Sequence, residues 1–489
     1  MPFLFVSAWI GLAVLAPVCI LYYCRRSTLP FPPGPRSPQM PILDAWVTYK
    51  EWGKKYGDLI YIREKNILIT NSSEVVVDLF EKRSRIYSDR ESSSAIRLCG
   101  ADRIVSLQQY SNKWKQHRKF FEQHFRQSNS SRFYTAQYSK VRELLQNLAT
   151  EPDNFGQHTM LFSQSLMFAI LYGLDISHED PLARKTVETV ATLGQIFMTG
   201  FPVLENFPWL RFLPSFLPGC GFKKIANKVF QNLDEIDTIP FEAALQNLHT
   251  GKSTSLVAEL AQRYEKMPAE IKMIKAMGTT SFIGASDTTM SAISSFLLTA
   301  TLHPDTQVKA RAEIDRIIGR DRLPTFDDRQ HLPYVESVYR EVMRLYPPVP
   351  LGVNHVSMEN DIYRGCHIPK GCKIVPNIWL ETHLCSLHFS SNNVIRAMNR
   401  DPSLYEDPDK FSPERHLNAP AGPFTNINNI HAFGFGRRIC VGRYMADNTV
   451  WLAIASILAT LVLSTAKDSE GKEIDIPGEF NNIFFLFVL

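Results

Sequence analysis

The 489-residue chain contains no glycine-rich flavin or nicotinamide fingerprint, so electrons for any redox reaction would have to arrive from outside it. Its eight cysteines (Cys19, Cys24, Cys99, Cys220, Cys366, Cys372, Cys385 and Cys440) form no Cys-x-x-Cys pair and show no metal-ligand spacing. In so long a chain they read as reduced thiols in a protein facing the cytosol. Cys366 and Cys372, flanking a predicted hairpin, read as two ordinary thiols. A formal net charge of +4 is too weak to imply nucleic acid as a partner. Beyond the first forty residues no internal repeat or low-complexity tract divides the chain, which predicts one large domain over 42–489.

What is present begins with an apolar run, Phe3 to Cys24, of the roughly 20 residues that a membrane span needs. No basic side chain precedes it, and Arg25 and Arg26 follow at once. The positive-inside rule then predicts a single-pass anchor over 1–24 with the bulk of the chain in the cytosol. Pro17 interrupts the run and keeps a cleaved signal peptide as the competing reading, although no basic leader or small-x-small cleavage site is evident. Residues 25–41, with Leu29-Pro30-Phe31-Pro32-Pro33-Gly34-Pro35-Arg36, predict a stiff proline-rich hinge between anchor and domain. Asn71-Ser72-Ser73 and Asn129-Ser130-Ser131 match the glycosylation pattern and, on this topology, carry no glycan.

The most informative stretch is Phe433-Gly434-Phe435-Gly436-Arg437-Arg438-Ile439-Cys440-Val441-Gly442. Its glycines allow positive φ and close backbone approach, so the loop can turn N–H groups toward the Cys440 sulfur. An apolar helical stretch follows from Arg443, and the positive end of its dipole favours thiolate over thiol. A thiolate so held is the ligand that lets a haem iron activate oxygen. Arg438 is placed to meet a haem propionate. A lone cysteine in a glycine-rich turn would carry no such reading; the ten-residue pattern does. It resembles the haem-binding loop of the cytochrome P-450 superfamily, and further motifs in family order extend the likeness over residues 30–489, with fungal secondary-metabolism oxygenases nearest in character. That resemblance implies a mainly α fold with small β-sheets, a thiolate-ligated haem b, and Phe433, Gly434 and Gly436 beside the cofactor.

Other segments take their meaning from the same likeness. Lys272 to Leu302 has the apolar spacing of one long buried helix, interrupted by Gly284-Ala285-Ser286-Asp287-Thr288-Thr289. Paired threonines in a helix commonly bond back to backbone carbonyls with no further role. Here the resemblance implies an oxygen-activating catalytic pair, with the Thr288 hydroxyl beside the oxygen and Asp287 relaying protons. Glu341 and Arg344 lie one turn apart on a helix. With Arg415 they are similar to the family's structural triad, which braces the haem loop. Trp114 and Arg118, also a turn apart, and His355 match positions that meet the haem edge and its propionates; a lone histidine is as readily a plain core or surface side chain. Lys113, Lys115 and Lys119 make the Trp114 helix basic, which suits either solvation or docking of an acidic flavoprotein. The resemblance implies NADPH-cytochrome reductase as that partner, with cytochrome b5 as a second donor. The aromatic, proline-broken stretch 201–220 suits a flap resting on membrane lipid and admitting a lipophilic small molecule, with the loop from Ser92 to Leu107 on the other side of the pocket.

One segment departs from the family pattern. The strand-like Cys372-Lys373-Ile374-Val375-Pro376-Asn377-Ile378-Trp379 should run almost directly into Ala397-Met398-Asn399-Arg400-Asp401-Pro402, yet residues 380–396 intervene. An in-frame retained intron explains them better than a functional loop. Val441, often proline in the family, is a small variation. The expected function is a monooxygenase of the endoplasmic reticulum acting on a lipophilic substrate in secondary metabolism or xenobiotic oxidation. Two alternatives remain: an oxygen-independent isomerase or dehydratase on the same fold, against which Asp287-Thr288 speaks, and a non-catalytic or misfolded haem protein caused by the insertion.

Overall fold

The computed structural model describes residues 29–41, 45–378, 399, 406–474, 480–481 and 487–488, leaving out positions 92, 202–203, 205–206, 216, 218, 420–421, 423 and 469. The expected anchor (1–24) and the inserted segment (380–396) lie outside the described residues, as do Cys19, Cys24 and Cys385. Among the described residues no helix is long and apolar enough to cross a membrane.

The principal elements in chain order are α1 (Ala45–Tyr56), β1 (Leu59–Ile62), β2 (Ile67–Thr70), α2 (Asn112–Phe125), α3 (Tyr134–Thr150), α4 (Phe155–Tyr172), α5 (Pro181–Thr199), α6 (Phe222–His249), α7 (Pro268–Leu302), α8 (Pro304–Ile317) and α9 (Pro333–Leu345). The strands β3 (His355–Val356), β4 (Asp361–Tyr363), β5 (Cys366–Ile368) and β6 (Lys373–Pro376) follow, and α10 (Arg443–Thr460) comes after the cysteine loop. The fold is mainly helical with small sheets, as expected. In the larger sheet β2 lies between β1, antiparallel to it, and β6, parallel to it, while β3 closes the far edge antiparallel to β6. β4 and β5 form a separate hairpin. Cys366 on β5 and Cys372 beyond it are both free, in line with the reading as ordinary thiols.

α7 forms the axis of the helical body. It is apolar around most of its circumference, as a helix enclosed on all sides must be, and packs against α4, α6 and α10. Phe282 meets Phe168 of α4 edge-on, with ring centroids 4.6 Å apart. The helix starts at Pro268, four residues before the expected Lys272, because proline fits the first helical turn, where its missing N–H costs nothing. It stops at Leu302, and Pro304 opens α8. α10 ends at Thr460 and buries Trp451 completely.

The proline run from Leu29 is docked on the domain rather than standing clear of it. The Phe31 ring stacks on Tyr61 at 5.2 Å, Pro33 accepts a bond from the Tyr61 N–H at 2.9 Å, and Pro30 accepts one from the His367 N–H at 2.8 Å. A Cβ on Gly34 would lie 2.1 Å from the Tyr61 carbonyl oxygen, so this contact requires glycine. Asn71 of the first glycosylation pattern is fully buried and donates to the Tyr49 carbonyl, which closes it to modification on either side of a membrane.

Candidate active site

Cys440 sits where a loop built from two short 3₁₀ turns feeds into α10. Gly434 adopts φ +77° with ψ −164°, a region open essentially to glycine alone. Gly436 has φ +56°, and a Cβ there would come within 1.9 Å of the Phe80 carbonyl oxygen. These two residues fold the loop back so that the Cys440 N–H donates to the Phe433 carbonyl at 2.8 Å. The sulfur is exposed, but to an internal cavity rather than to bulk water. Burial pushes its thiol up from the ordinary value, while the Gly442 N–H, Arg118 and Arg443 pull the other way. Coordination by a metal cation deprotonates such a thiol outright.

The cavity, of about 390 Å³, is lined on one side by the cysteine loop (Phe433, Gly434, Arg438, Cys440) and on the other by α7, including Gly284 and Thr288. Trp114, Arg118 and His355 lie on the same wall, as the sequence predicts. Gly436 does not; its place is the close packing on Phe80. Arg438 stacks on the Trp114 ring at 3.9 Å and donates to the carbonyls of Ser88 and Gln108, while its Nη1 is buried without a partner. The His355 ring packs on Phe80 at 3.9 Å and its Nδ1 donates to the Tyr87 carbonyl at 2.6 Å. Arg118 reaches the wall while bonded to Glu122 at 2.8 Å.

Arg90 joins this group, and sequence reasoning missed it. Its guanidinium donates to three carbonyls, of Ser106, Val353 and Asn354, at 3.1, 2.8 and 2.7 Å. Burial, and then the neighbouring Arg438, lower its pKa well below the ordinary value. Burial likewise brings Arg438 down to about 9. Buried cations crowded together without carboxylates bonded to them call for an anionic occupant. Haem fits: its two propionates would satisfy Arg90 and the free Nη1 of Arg438, with Arg118, already paired with Glu122, beside them, and the Cys440 sulfur would hold the iron. No local pattern marks Arg90, because two of its three partners, Val353 and Asn354, are more than 260 positions away in the chain.

Across the cavity the Thr288 hydroxyl donates to the Gly284 carbonyl at 2.7 Å, one turn back. The hydroxyl proton is thereby engaged within its own helix, and the hydroxyl oxygen can still accept a bond. Asp287 lies just behind the wall with one carboxyl oxygen buried and unpartnered; burial raises its pKa to about 7.

The bracing residues meet as expected. Glu341, with a side chain wholly buried, is chelated by Arg344 at 2.8 and 2.7 Å and receives Arg415 Nε at 2.9 Å. The Ser412 N–H (3.0 Å) and His416 Nε2 (2.9 Å) complete its shell. Burial alone would raise its pKa, but Arg344 and His416 hold it well below the usual carboxylate range. His416, unforeseen from the sequence, makes the triad a tetrad.

A helical body in which a glycine-rich loop offers a cysteine to a cation-rimmed cavity, facing a long helix with an acid and an alcohol, defines a haem-thiolate enzyme. The family model for cytochrome P450 matches residues 43–386 and 392–483, and the chain belongs to that family. The gap between the matched stretches falls inside the segment 380–396. Cytochrome P450 monooxygenase 176 of Postia placenta is 37% identical over 91% of this chain and 85% of its own length. Tryptamine 4-monooxygenase of Psilocybe cyanescens is 30% identical over 96% and 93%. Cytochrome P450 monooxygenase claR of Ampulloclitocybe clavipes is 32% identical over 94% and 85%. The chain is a cytochrome P450 monooxygenase, and its cofactor is thiolate-ligated haem b.

Proposed function

We propose that this monooxygenase oxidises a neutral, lipophilic small molecule of secondary or xenobiotic metabolism at the endoplasmic reticulum, drawing electrons from NADPH-cytochrome reductase, with cytochrome b5 as an auxiliary donor. The observation that carries the proposal is the chemistry of the cavity between α7 and the cysteine loop. Among the described residues its charged lining groups are Arg90, Arg118 and Arg438, all in the cluster assigned to the propionates, while Ile104, Val105, Leu193, Phe197, Ile283 and Val349 give an apolar wall to the remainder. Apolar burial therefore supplies the binding energy, at roughly 25 cal/mol per Å² removed from water, and a cationic substrate would find no carboxylate among the described residues of the wall.

When bound, the thiolate-ligated haem activates dioxygen and supplies one of its atoms to the substrate. The Cys440 thiolate would hold its iron. Thr288 acts as the hydrogen-bonding group at the oxygen side of the cavity, and Asp287, protonated at neutral pH, acts as its source of protons through water. Glu341, Arg344 and Arg415 brace the loop and take no part in the chemistry.

Residues 1–24 act as the single-pass anchor and 25–41 as the connection to the domain at 42–489. Phe207, Trp209 and Phe212 are exposed on the 201–220 segment, while Leu204, Leu210 and Cys220 are buried with Ile104 and Ile283 of the cavity wall. That arrangement suits a surface resting on lipid with its inner side over the cavity. The exposed Lys113, Lys115 and Lys119 on α2 suit an acidic flavoprotein docking close to the haem edge.

The test is reconstitution of the full chain with the reductase in lipid vesicles, supplied with neutral and with cationic lipophilic substrates. Oxygenated product from neutral substrates is expected. Thr288→Ala should keep NADPH consumption while cutting product per NADPH by about tenfold or more, the scale of a lost general acid–base group. Unchanged coupling in Thr288→Ala contradicts the role given to that hydroxyl.

A further inference from the structure

The bracing cluster at Glu341 and the loop carrying Cys440 are joined by a side-chain bridge that the motifs do not show. Arg344, clamped on Glu341, sends its Nη1 to the backbone carbonyl of Asn399 at 2.6 Å. Asn399 is buried at 3% exposure, and its side-chain Oδ1 accepts a bond from Nδ1 of His431 at 3.0 Å. His431 opens the cysteine loop. Its carbonyl receives the Gly434 N–H at 2.9 Å, and Phe433, two residues on, receives the Cys440 N–H at 2.8 Å. The His431 ring also lies against Phe435, with centroids 5.3 Å apart.

We propose that His431 is a positioning residue: by its bond to Asn399 it passes the fixed geometry of Glu341–Arg344 to the loop and so sets where the Cys440 sulfur stands. A loop with two positive-φ glycines has little stiffness of its own, and a bond to a buried, already ordered amide costs little further entropy while removing that freedom. Burial brings the imidazole down to about 4, so it stays neutral across the physiological range and can keep one ring nitrogen protonated as donor. Arg344 binds Asn399 and Asn399 binds His431, so along this path the imidazole joins the Glu341 cluster to the loop.

The inference rests on thiolate ligation by Cys440. Failure of that reading would show separately, as absence of the red-shifted Soret band from the reduced, carbon-monoxide-bound unmodified protein. The test compares full-chain holoprotein with His431→Phe, His431→Asn, Asn399→Ala and the double variant His431→Phe/Asn399→Ala. Phenylalanine keeps a ring beside Phe435 without the donor; asparagine keeps a donor near the position of Nδ1. The measurements are haem content, the fraction of the reduced carbon-monoxide complex in the red-shifted band, and the rate at which that band converts to the one typical of neutral ligation.

His431→Phe and Asn399→Ala are expected to convert about five- to tenfold faster than the unmodified protein, and the double variant no faster than the worse single, as for two halves of one contact. His431→Asn should stay within about twofold of the unmodified rate. Unmodified behaviour in either His431→Phe or Asn399→Ala overturns the proposal, as do single effects that multiply in the double variant. If His431→Phe fails to retain haem, Asn399→Ala decides by the same criteria, because it leaves the loop sequence untouched. Haem loss in all the single variants, His431→Asn included, also overturns it, since the donor would then not be the point.

Discussion

Asp287 shows how much a single placement can cost and contribute. A carboxyl buried on α7 with an unpartnered oxygen is held protonated to about pH 7, whereas an unfolded chain would lose that proton near 4. Between those values the folded state binds more protons than the unfolded one, so stability falls as pH rises from about 4 to about 7 and levels off above. Asp287→Asn removes the penalty. It is expected to raise stability at pH 8 by about 2 to 4 kcal/mol relative to the unmodified protein, with little difference at pH 4. Thermal unfolding of the two proteins across pH checks this, and the same variant should lose product formation per NADPH. Equal stability at pH 8 would mean that the carboxyl is already solvated. That cost to folding fits the role proposed for Asp287, since a proton source at neutral pH needs a raised pKa.

At the scale of elements, α9 and the segment around Ser412–His416 are tied together through one carboxylate, and we propose that this cluster braces the cysteine loop. Glu341→Gln keeps the shape but leaves Arg344 and Arg415 facing a neutral amide in a buried site. Breaking one side of a buried ion pair costs about 3 to 5 kcal/mol, and the expected result is loss of most bound haem, measured by haem content per protein; full occupancy would contradict the bracing role. This element was legible because Glu341 and Arg344 share a helix face and Arg415 sits in a recognisable downstream motif. His416 was not, since nothing in its neighbourhood announces a partner 75 positions upstream. Arg90 and the Asn399–His431 bridge escaped for the same reason: each joins segments that only the tertiary fold brings together. Local patterns reported well on what local geometry decides, such as the positive-φ glycines before Cys440 and the Thr288 back-bond. They were silent on docking: the proline-rich hinge carries Phe31, whose ring is stacked on Tyr61.

At the scale of the whole molecule, the sheet, the helical body and the cysteine loop converge on one cavity with a sulfur at its floor and three guanidiniums on its wall. Residues 380–396 lie in the chain between β6 and Asn399, and we propose that they are an in-frame insertion absent from the mature working form. Sequencing the transcript decides that point: a dominant message that encodes them contradicts it. The central claim is that Cys440 is the axial ligand of a haem bound in this cavity, and the absorption spectrum of the reduced, carbon-monoxide-bound holoprotein tests it most directly. The full chain should give the red-shifted Soret band of thiolate ligation, and Cys440→Ala should abolish it. A band typical of neutral ligation in the unmodified protein, or a red-shifted band that survives Cys440→Ala, would contradict the account.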